Sequence, residues 1–249
     1  MQLQDILFSQ GFGTRRICAG LIQQGRVQVY ERNSAQALIQ QALAATEFDT
    51  EGLRFRVQGV DWPYAAKAYI MLHKPAGTEC SRKPTAHPSI YTLLPAPLRQ
   101  RPNKGAVPGV QAIGRLDQDS TGLLLLTDDG QWIHRLSSPR HHVPKVYEVT
   151  LKHPINSRQL VSLQDGVVLD DDPQPVRAAH CIAKSDFHLQ LTLLEGKYHQ
   201  VKRMVAAVGN RVEALHRSQI GALHLPDDLL PGQWRWLDPQ ALGLAGSLV

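Results

Sequence analysis

Gly114-Arg115-Leu116-Asp117-Gln118-Asp119-Ser120-Thr121-Gly122-Leu123-Leu124-Leu125-Leu126-Thr127-Asp128-Asp129-Gly130 is the stretch around which the rest of the chain falls into order. Arg115 and Asp117 stand two residues apart, so in extended backbone both side chains leave the same face. The continuous apolar run Leu123–Leu126 suits a short strand buried on both sides. Thr127-Asp128-Asp129-Gly130 then supplies turn residues to close it. A carboxylate on such an edge beside a guanidinium stays ionised, and in a dry site it becomes a nucleophile. Taken alone, an Arg-x-Asp pair before a strand is more often a surface ion pair.

The whole run is far more specific than the pair. Gly-Arg-Leu-Asp followed by Thr-Gly-Leu-Leu-Leu-Leu-Thr-x-Asp-Gly resembles the catalytic motif of the pseudouridine synthases, in the branch that modifies ribosomal RNA. Two further stretches match that family in the same order. Ala68–His73 reads as a strand ended by Lys74-Pro75-Ala76-Gly77, which resembles the family's entry motif. Glu195-Gly196-Lys197-Tyr198-His199-Gln200-Val201-Lys202-Arg203-Met204 resembles its last motif. Val201, Met204, Val205 and Val208 fall at i, i+3, i+4 and i+7, the apolar stripe of a helix. His199, Lys202 and Arg203 lie off that stripe, and Gly209-Asn210 is a good helix stop.

The resemblance implies roles. Asp117 is the nucleophile, attacking the sugar or assisting departure of the base. A basic residue of the last motif pairs with it; Lys202 takes that position, with Arg203 as its rival. Tyr147, in Lys145-Val146-Tyr147-Glu148-Val149, occupies the active-site tyrosine position and stacks on the uracil, and Leu194 packs under it. Arg115 fills the gap left when the target uridine is flipped out. Lys74, Arg140, His199 and Arg217 are expected to contact substrate or RNA.

Local patterns frame these positions. Gln131–Leu136 reads as a helix, ended by Ser137-Ser138-Pro139-Arg140-His141-His142. Lys145–Leu151 reads as a strand with Val146 and Val149 as its apolar pair and Tyr147 on the opposite face. Residues 156–164 read as a helix, and Ala178–Lys184 with Phe187–Leu194 as a strand pair. Arg211–His216 and Gln219–Leu225 read as two strands with Arg217 at a substrate-facing turn between them. Leu230–Leu237 resembles the closing strand of the family fold.

The first 60 residues read as a separate unit: two short helices interrupted by Gly11 and Gly13, then a turn into the strand Val27–Tyr30. Its six basic and five acidic residues give no charge signal. The order of elements, with Arg15, Arg16 and Arg26, resembles an S4 RNA-binding module. It departs from that pattern at Glu31-Arg32-Asn33-Ser34, where an Asn-Gly turn is usual, and in an inserted stretch Ala35–Ala45 whose composition allows a helix. Asp61-Trp62-Pro63 reads as the boundary to a catalytic domain over 61–240, and 241–249 as a tail. Residues 78–110 lack periodicity. Between Lys74 and Lys104 there are six basic residues and one acid, a surface suited to phosphate.

Composition narrows the function classes. The chain has 249 residues, a net charge of +5 and a pI of about 9.2, a mild bias towards anionic partners. There is no bilayer-length apolar run and no N-terminal signal pattern, so a cytoplasmic protein is expected. Three scattered cysteines form neither a metal spacing nor a disulfide framework. The paired His141 and His142 lack nearby metal-ligand partners, and Asp170-Asp171-Asp172-Pro173 is an acidic turn without a calcium-loop pattern. No phosphate loop or dinucleotide fingerprint is present. The expectation is therefore an α+β fold with a mixed, mostly antiparallel sheet, using neither cofactor nor metal. The partner expected is ribosomal RNA, in a partly assembled small subunit or free, bound by a monomer. The resemblance favours a 16S over a 23S rRNA uridine. A non-catalytic assembly factor is the competing class.

Overall fold

The computed structural model describes residues 1–30, 38–39, 43–103, 107–170 and 172–245. The chain forms two compact units: Met1–Ala68 with Leu94–Gln111, and Tyr69–Leu93 with Ala112–Val249.

The first unit carries helices α1 (Leu3–Ser9) and α2 (Arg15–Gln23) against a sheet of β1 (Val27–Tyr30), β2 (Leu38–Ile39), β3 (Arg54–Val57) and β4 (Val60–Pro63), in the order β2-β1-β3-β4. Thr14 caps α2 by accepting from the Ile17 amide. Phe12 packs edge-on against Phe55 and Trp62, at 5.8 and 5.3 Å between centroids. Asp61-Trp62-Pro63 is thus no boundary. It pairs with β3, and its tryptophan is buried in the unit's core. In the stretch read as a possible helix, Leu38–Ile39 is strand, paired antiparallel with β1. Residues 31–37 and 40–42, which include the Glu31–Ser34 departure, lie outside the described residues.

Residues 94–111 also belong to this unit, and they are not featureless. They include α3 (Ala96–Gln100), and Arg101 is buried rather than free for phosphate. Arg101 donates to Gln10 Oε1 at 2.7 Å and to the Ala65 carbonyl at 2.6 Å. Lys104 lies outside the described residues.

The second unit is built on strands β5 (Tyr69–Lys74), β7 (Thr121–Thr127), β8 (Lys145–Leu151), β11 (His180–Ser185), β12 (His188–Leu193), β13 (Val212–Ile220) and β15 (Trp234–Trp236). Their order is β11-β12-β8-β13-β7-β5-β15. Short strands β6 (Gln111–Ala112), β9 (Val167–Leu169), β10 (Asp172–Val176) and β14 (Leu223–His224) complete the set. The pairing of β13 with β7 is parallel; the others along this order are antiparallel. Leu123–Leu126 are fully buried because β7 runs between β5 and β13 with both faces covered. The fold is α+β with a mixed, mostly antiparallel sheet.

Four helices flank these strands: α4 (Gly130–Ser137), α5 (Ser157–Asp165), α6 (Gln200–Ala207) and α7 (Pro239–Ala245). Asp129 caps α4, and an Asn156/Gln159 capping box starts α5. Val201, Met204 and Val205 of α6 bury the expected stripe in a core shared with Tyr147, Val149, Leu151, Leu189 and Leu191. Tyr147 therefore shares a face with Val149 and not the face opposite it, since residues two apart on a strand point the same way. The segments on either side of Arg217 are one strand. The sequence break there is a register shift between Arg217 and Gln219, a bulge rather than a turn. Of the C-terminal residues read as a tail, those up to Ala245 belong to α7. Among the described residues, no helix is long and apolar enough to cross a membrane.

Candidate active site

The loop Gly114–Ser120 enters β7 with Leu116 and Ser120 buried and the residues between them more exposed. Leu116 packs into the core and, with Arg115 and Asp117, lines a cavity of about 410 Å³. Arg115 and Asp117 thus reach one cavity as their spacing suggested, although the stretch is loop rather than strand. The loop is clamped from beneath. The Ser120 amide donates to the Asp117 carbonyl at 3.1 Å, and the Gly77 amide to the Gln118 carbonyl at 2.8 Å. Lys74 is 0% exposed and donates Nζ to the carbonyls of Ser120, Pro75 and Gln118 at 2.8, 3.0 and 3.3 Å. Lys74 is therefore no RNA contact: its ammonium is spent on the backbone that carries Asp117. Burial pushes it below the usual lysine range.

Helix α6 and its N-cap bring the opposing nitrogen groups. Lys202 Nζ lies 3.2 Å from Asp117 Oδ2 and bridges to Asp119, at 2.6 and 2.9 Å from its two oxygens. His199 Nε2 lies 3.1 Å from Asp117 Oδ1. Arg203, the rival for the pair, donates Nη1 to the Tyr198 carbonyl at 3.2 Å. Burial lowers the Lys202 ammonium, but hydrogen bonds and charge from Asp119 and Asp117 outweigh it and hold it above its ordinary value. The reverse holds at Asp119: burial raises it, and Lys202 overrides that and lowers it. His199 is held in the left-handed region at φ +48, a conformation uncommon for a side chain with a Cβ, and its ring stacks on Tyr198. Expected as a substrate contact, His199 sits against the carboxylate. Asp119 was missed as a site residue, although it stands two positions after Asp117.

The sheet supplies the wall of the cavity. Across the strands, Tyr147 faces Leu191 on β12 and Arg217 on β13, while Lys145 faces Leu193 and Ile220. Lys145, Tyr147, Leu193, Arg217 and Ile220 all line the cavity. Leu193 is 1% exposed, whereas Leu194, expected under the base, is 37% exposed and is not among the lining residues. Strand parity puts Leu193, not Leu194, on the cavity wall. Arg217 is 4% exposed and donates Nε to the Leu123 carbonyl at 2.8 Å. Gly122 permits this close approach: at φ +110, a Cβ there would stand 2.3 Å from the Arg217 carbonyl oxygen. Lys145 is pushed down to about 8 by burial and by the charge of Arg217.

Ser137 and Pro139 line the cavity, and Arg140 next to them is exposed. In the first unit Arg15, Arg16 and Arg26 are exposed, with Arg15 held by Asp5 at 2.6 Å. Among the described residues no group of three or more His, Cys, Asp or Glu is placed to hold a metal. The site therefore offers a carboxylate flanked by the Lys202 ammonium and the His199 imidazole, an aromatic ring on an apolar wall, and the cations Lys145 and Arg217 beside them.

The family model described as RNA pseudouridylate synthase matches residues 68–207. A protein named ribosomal small subunit pseudouridine synthase A, from Pasteurella multocida, is 36% identical over 245 residues, 97% of this chain and 98% of its own length. Its namesake from Yersinia pestis is 44% identical over 179 residues, 72% of this chain and 73% of its own. A crystal structure of a pseudouridylate synthase superposes with a TM-score of 0.66 at 32% identity, covering 98% of this chain and 99% of the other.

Proposed function

The chain belongs to the RNA pseudouridylate synthase family, and from that premise we propose that it converts one uridine of 16S ribosomal RNA to pseudouridine with Asp117 as the nucleophile. The names of its relatives support ribosomal RNA of the small subunit as the substrate. The observation that carries the chemistry is Asp117, held between Lys202 and His199 at the edge of a cavity walled by Tyr147.

Uridine and pseudouridine are isomers, so the reaction needs no external reductant, oxidant or cofactor. Asp117 bonds to C1′ as the C1′–N1 bond breaks. The uracil turns, C5 bonds to C1′, and the carboxylate is released. Lys202 and His199 keep the carboxylate oriented, and the Lys202 ammonium compensates its charge. Tyr147 stacks on the uracil, and its phenolic oxygen relays the C5 proton towards solvent. Leu193 packs against the base. Arg115, exposed on the cavity, fills the stack that the flipped uridine leaves. Arg140 contacts phosphate.

The first unit acts as an S4-like RNA-binding module through Arg15, Arg16 and Arg26, so affinity falls with salt. The protein works as a cytoplasmic monomer on a ribosomal precursor. The test is tritium release from C5-labelled uridine in 16S RNA, free and partly assembled, by wild type and Asp117→Asn. Release by wild type and loss in the variant with RNA binding intact is the expected result. Release from 23S alone would move the substrate to the large subunit. Binding without release would leave a non-catalytic assembly factor.

A further inference from the structure

Two polar side-chain atoms of the cavity wall are buried without a hydrogen-bond partner among the described residues: Arg217 Nη2 and Ser120 Oγ. Both residues line the same cavity as Lys145. Buried donors left unsatisfied are costly, and two neighbouring cations more so, unless a ligand completes them. Their positions are fixed by strand register. Arg217 stands directly across from Tyr147, and Lys145 lies two residues before Tyr147 on the same face, with Leu193 across from it.

Building on the function proposed above, we infer that Lys145, Arg217 and Ser120 form a subsite for the uracil ring itself, donating to its carbonyl oxygens and holding the base while it carries negative charge. When the C1′–N1 bond breaks, its electron pair stays on the ring and spreads over N1, O2 and O4, as C1′ bonds to an Asp117 oxygen. Donors placed where that charge develops stabilise the transition state most in a site shielded from water. The same contacts retain the base while it turns. C5 then bonds to C1′, the Asp117–C1′ pair returns to the carboxylate, the C5 proton leaves through Tyr147 and N1 takes a proton from solvent.

A phosphate is the other ligand such cations suit, and position argues against it. Lys145 and Arg217 share a sheet face with Tyr147 and Leu193, the two side chains against which a base packs. An exposed basic group suited to phosphate stands outside the cavity lining, at Arg140. Besides Arg217, the charged or titratable groups lining the cavity are Asp117, Tyr147 and His199, with Arg115, Lys197 and Tyr198. Glu148 and His216 face the other side of the sheet.

The test uses the full-length protein with Lys145→Met and Lys145→Arg, following single-turnover tritium release and RNA affinity against salt. Lys145→Met keeps the length of the side chain and removes a partly buried charge, so it is expected to fold; thermal unfolding checks this. Its release should fall about 100-fold, with RNA affinity and salt slope unchanged. Lys145→Arg should recover most of the rate. Wild-type release should decline as pH rises through about 8, where Lys145 loses its proton, and the arginine variant should not show that limb. An unchanged rate in folded Lys145→Met would overturn the inference while leaving Asp117 in place. A loss of affinity with a shallower salt slope would make Lys145 a phosphate contact and overturn it too. Absence of release by wild type would remove the reading on which both rest.

Discussion

Lys202 Nζ stands 3.2 Å from Asp117 and 2.6 Å from Asp119, so one ammonium serves two carboxylates from the same turn. Both acids draw on the same cation, and removing either changes what the other receives. Lys202→Met should lower single-turnover release by about 100-fold or more, because Asp117 and Asp119 then repel each other without compensation. Asp119→Asn should stay within about tenfold of wild type, since Lys202 keeps Asp117 as its partner. Equal losses in the two variants would show that Asp119 itself takes part in the chemistry.

Lys74 separates support from contact. Truncating it to alanine takes the donor from the Ser120 carbonyl and one of two donors from the Pro75 and Gln118 carbonyls, beneath the loop that carries Asp117. Lys74→Ala should lose on the order of 2–4 kcal/mol in urea unfolding, and kcat should fall with little change in RNA affinity. A variant of normal stability with weakened RNA binding would restore Lys74 as a phosphate contact.

Much of this was legible in the sequence, and the failures share a cause. The strands, α6 and the Asp117 loop follow from periodicity and turn residues, which are local signals. Leu194, the face of Tyr147 and the break at Arg217 were misread because strand parity and bulges depend on what the neighbouring strand does. Lys74 and Arg101 looked like solvated cations because sequence does not report the carbonyl groups that a distant segment offers them. Lys145 was passed over because its burial arises only when β12 and β13 flank it.

Leu193 and Leu194 test that parity directly. Leu193→Ala opens a cavity in the wall and should cost about 2–5 kcal/mol, with a matching fall in activity. Leu194→Ala, at an exposed position, should stay within about 0.5 kcal/mol of wild type and keep its rate. The reverse ranking would return the base-packing role to Leu194.

Gly122 tests the close pairing of β7 and β13. A methyl group there meets the Arg217 backbone at 2.3 Å, at a φ that disfavours any Cβ. Gly122→Ala should destabilise by about 3 kcal/mol or more, since backbone rather than a flexible side chain must move. It should also displace Arg217 and so slow the reaction in whatever protein still folds. Near-normal unfolding would mean that the two strands can separate at this point without loss.

Lys145 offers a stability readout with a definite sign. Its proton is held less tightly in the folded chain, at about 8, than in an unfolded one, near 10.5. Below pH 8 the lysine is charged in both states, and the folded state bears the full burden of its burial. Between about 8 and 10.5 the unfolded chain binds more protons, so stability contributed at this site rises with pH. Lys145→Met removes the burden and should stabilise the protein at pH 7 by on the order of 2 kcal/mol, an advantage that shrinks to little above pH 10. Chemical unfolding of both proteins at pH 7 and 10 measures this. A variant more stable yet slower than wild type would identify a lysine kept at the expense of folding for the charge that a bound base acquires. A variant less stable at pH 7 would show instead that the ammonium is satisfied in the free protein.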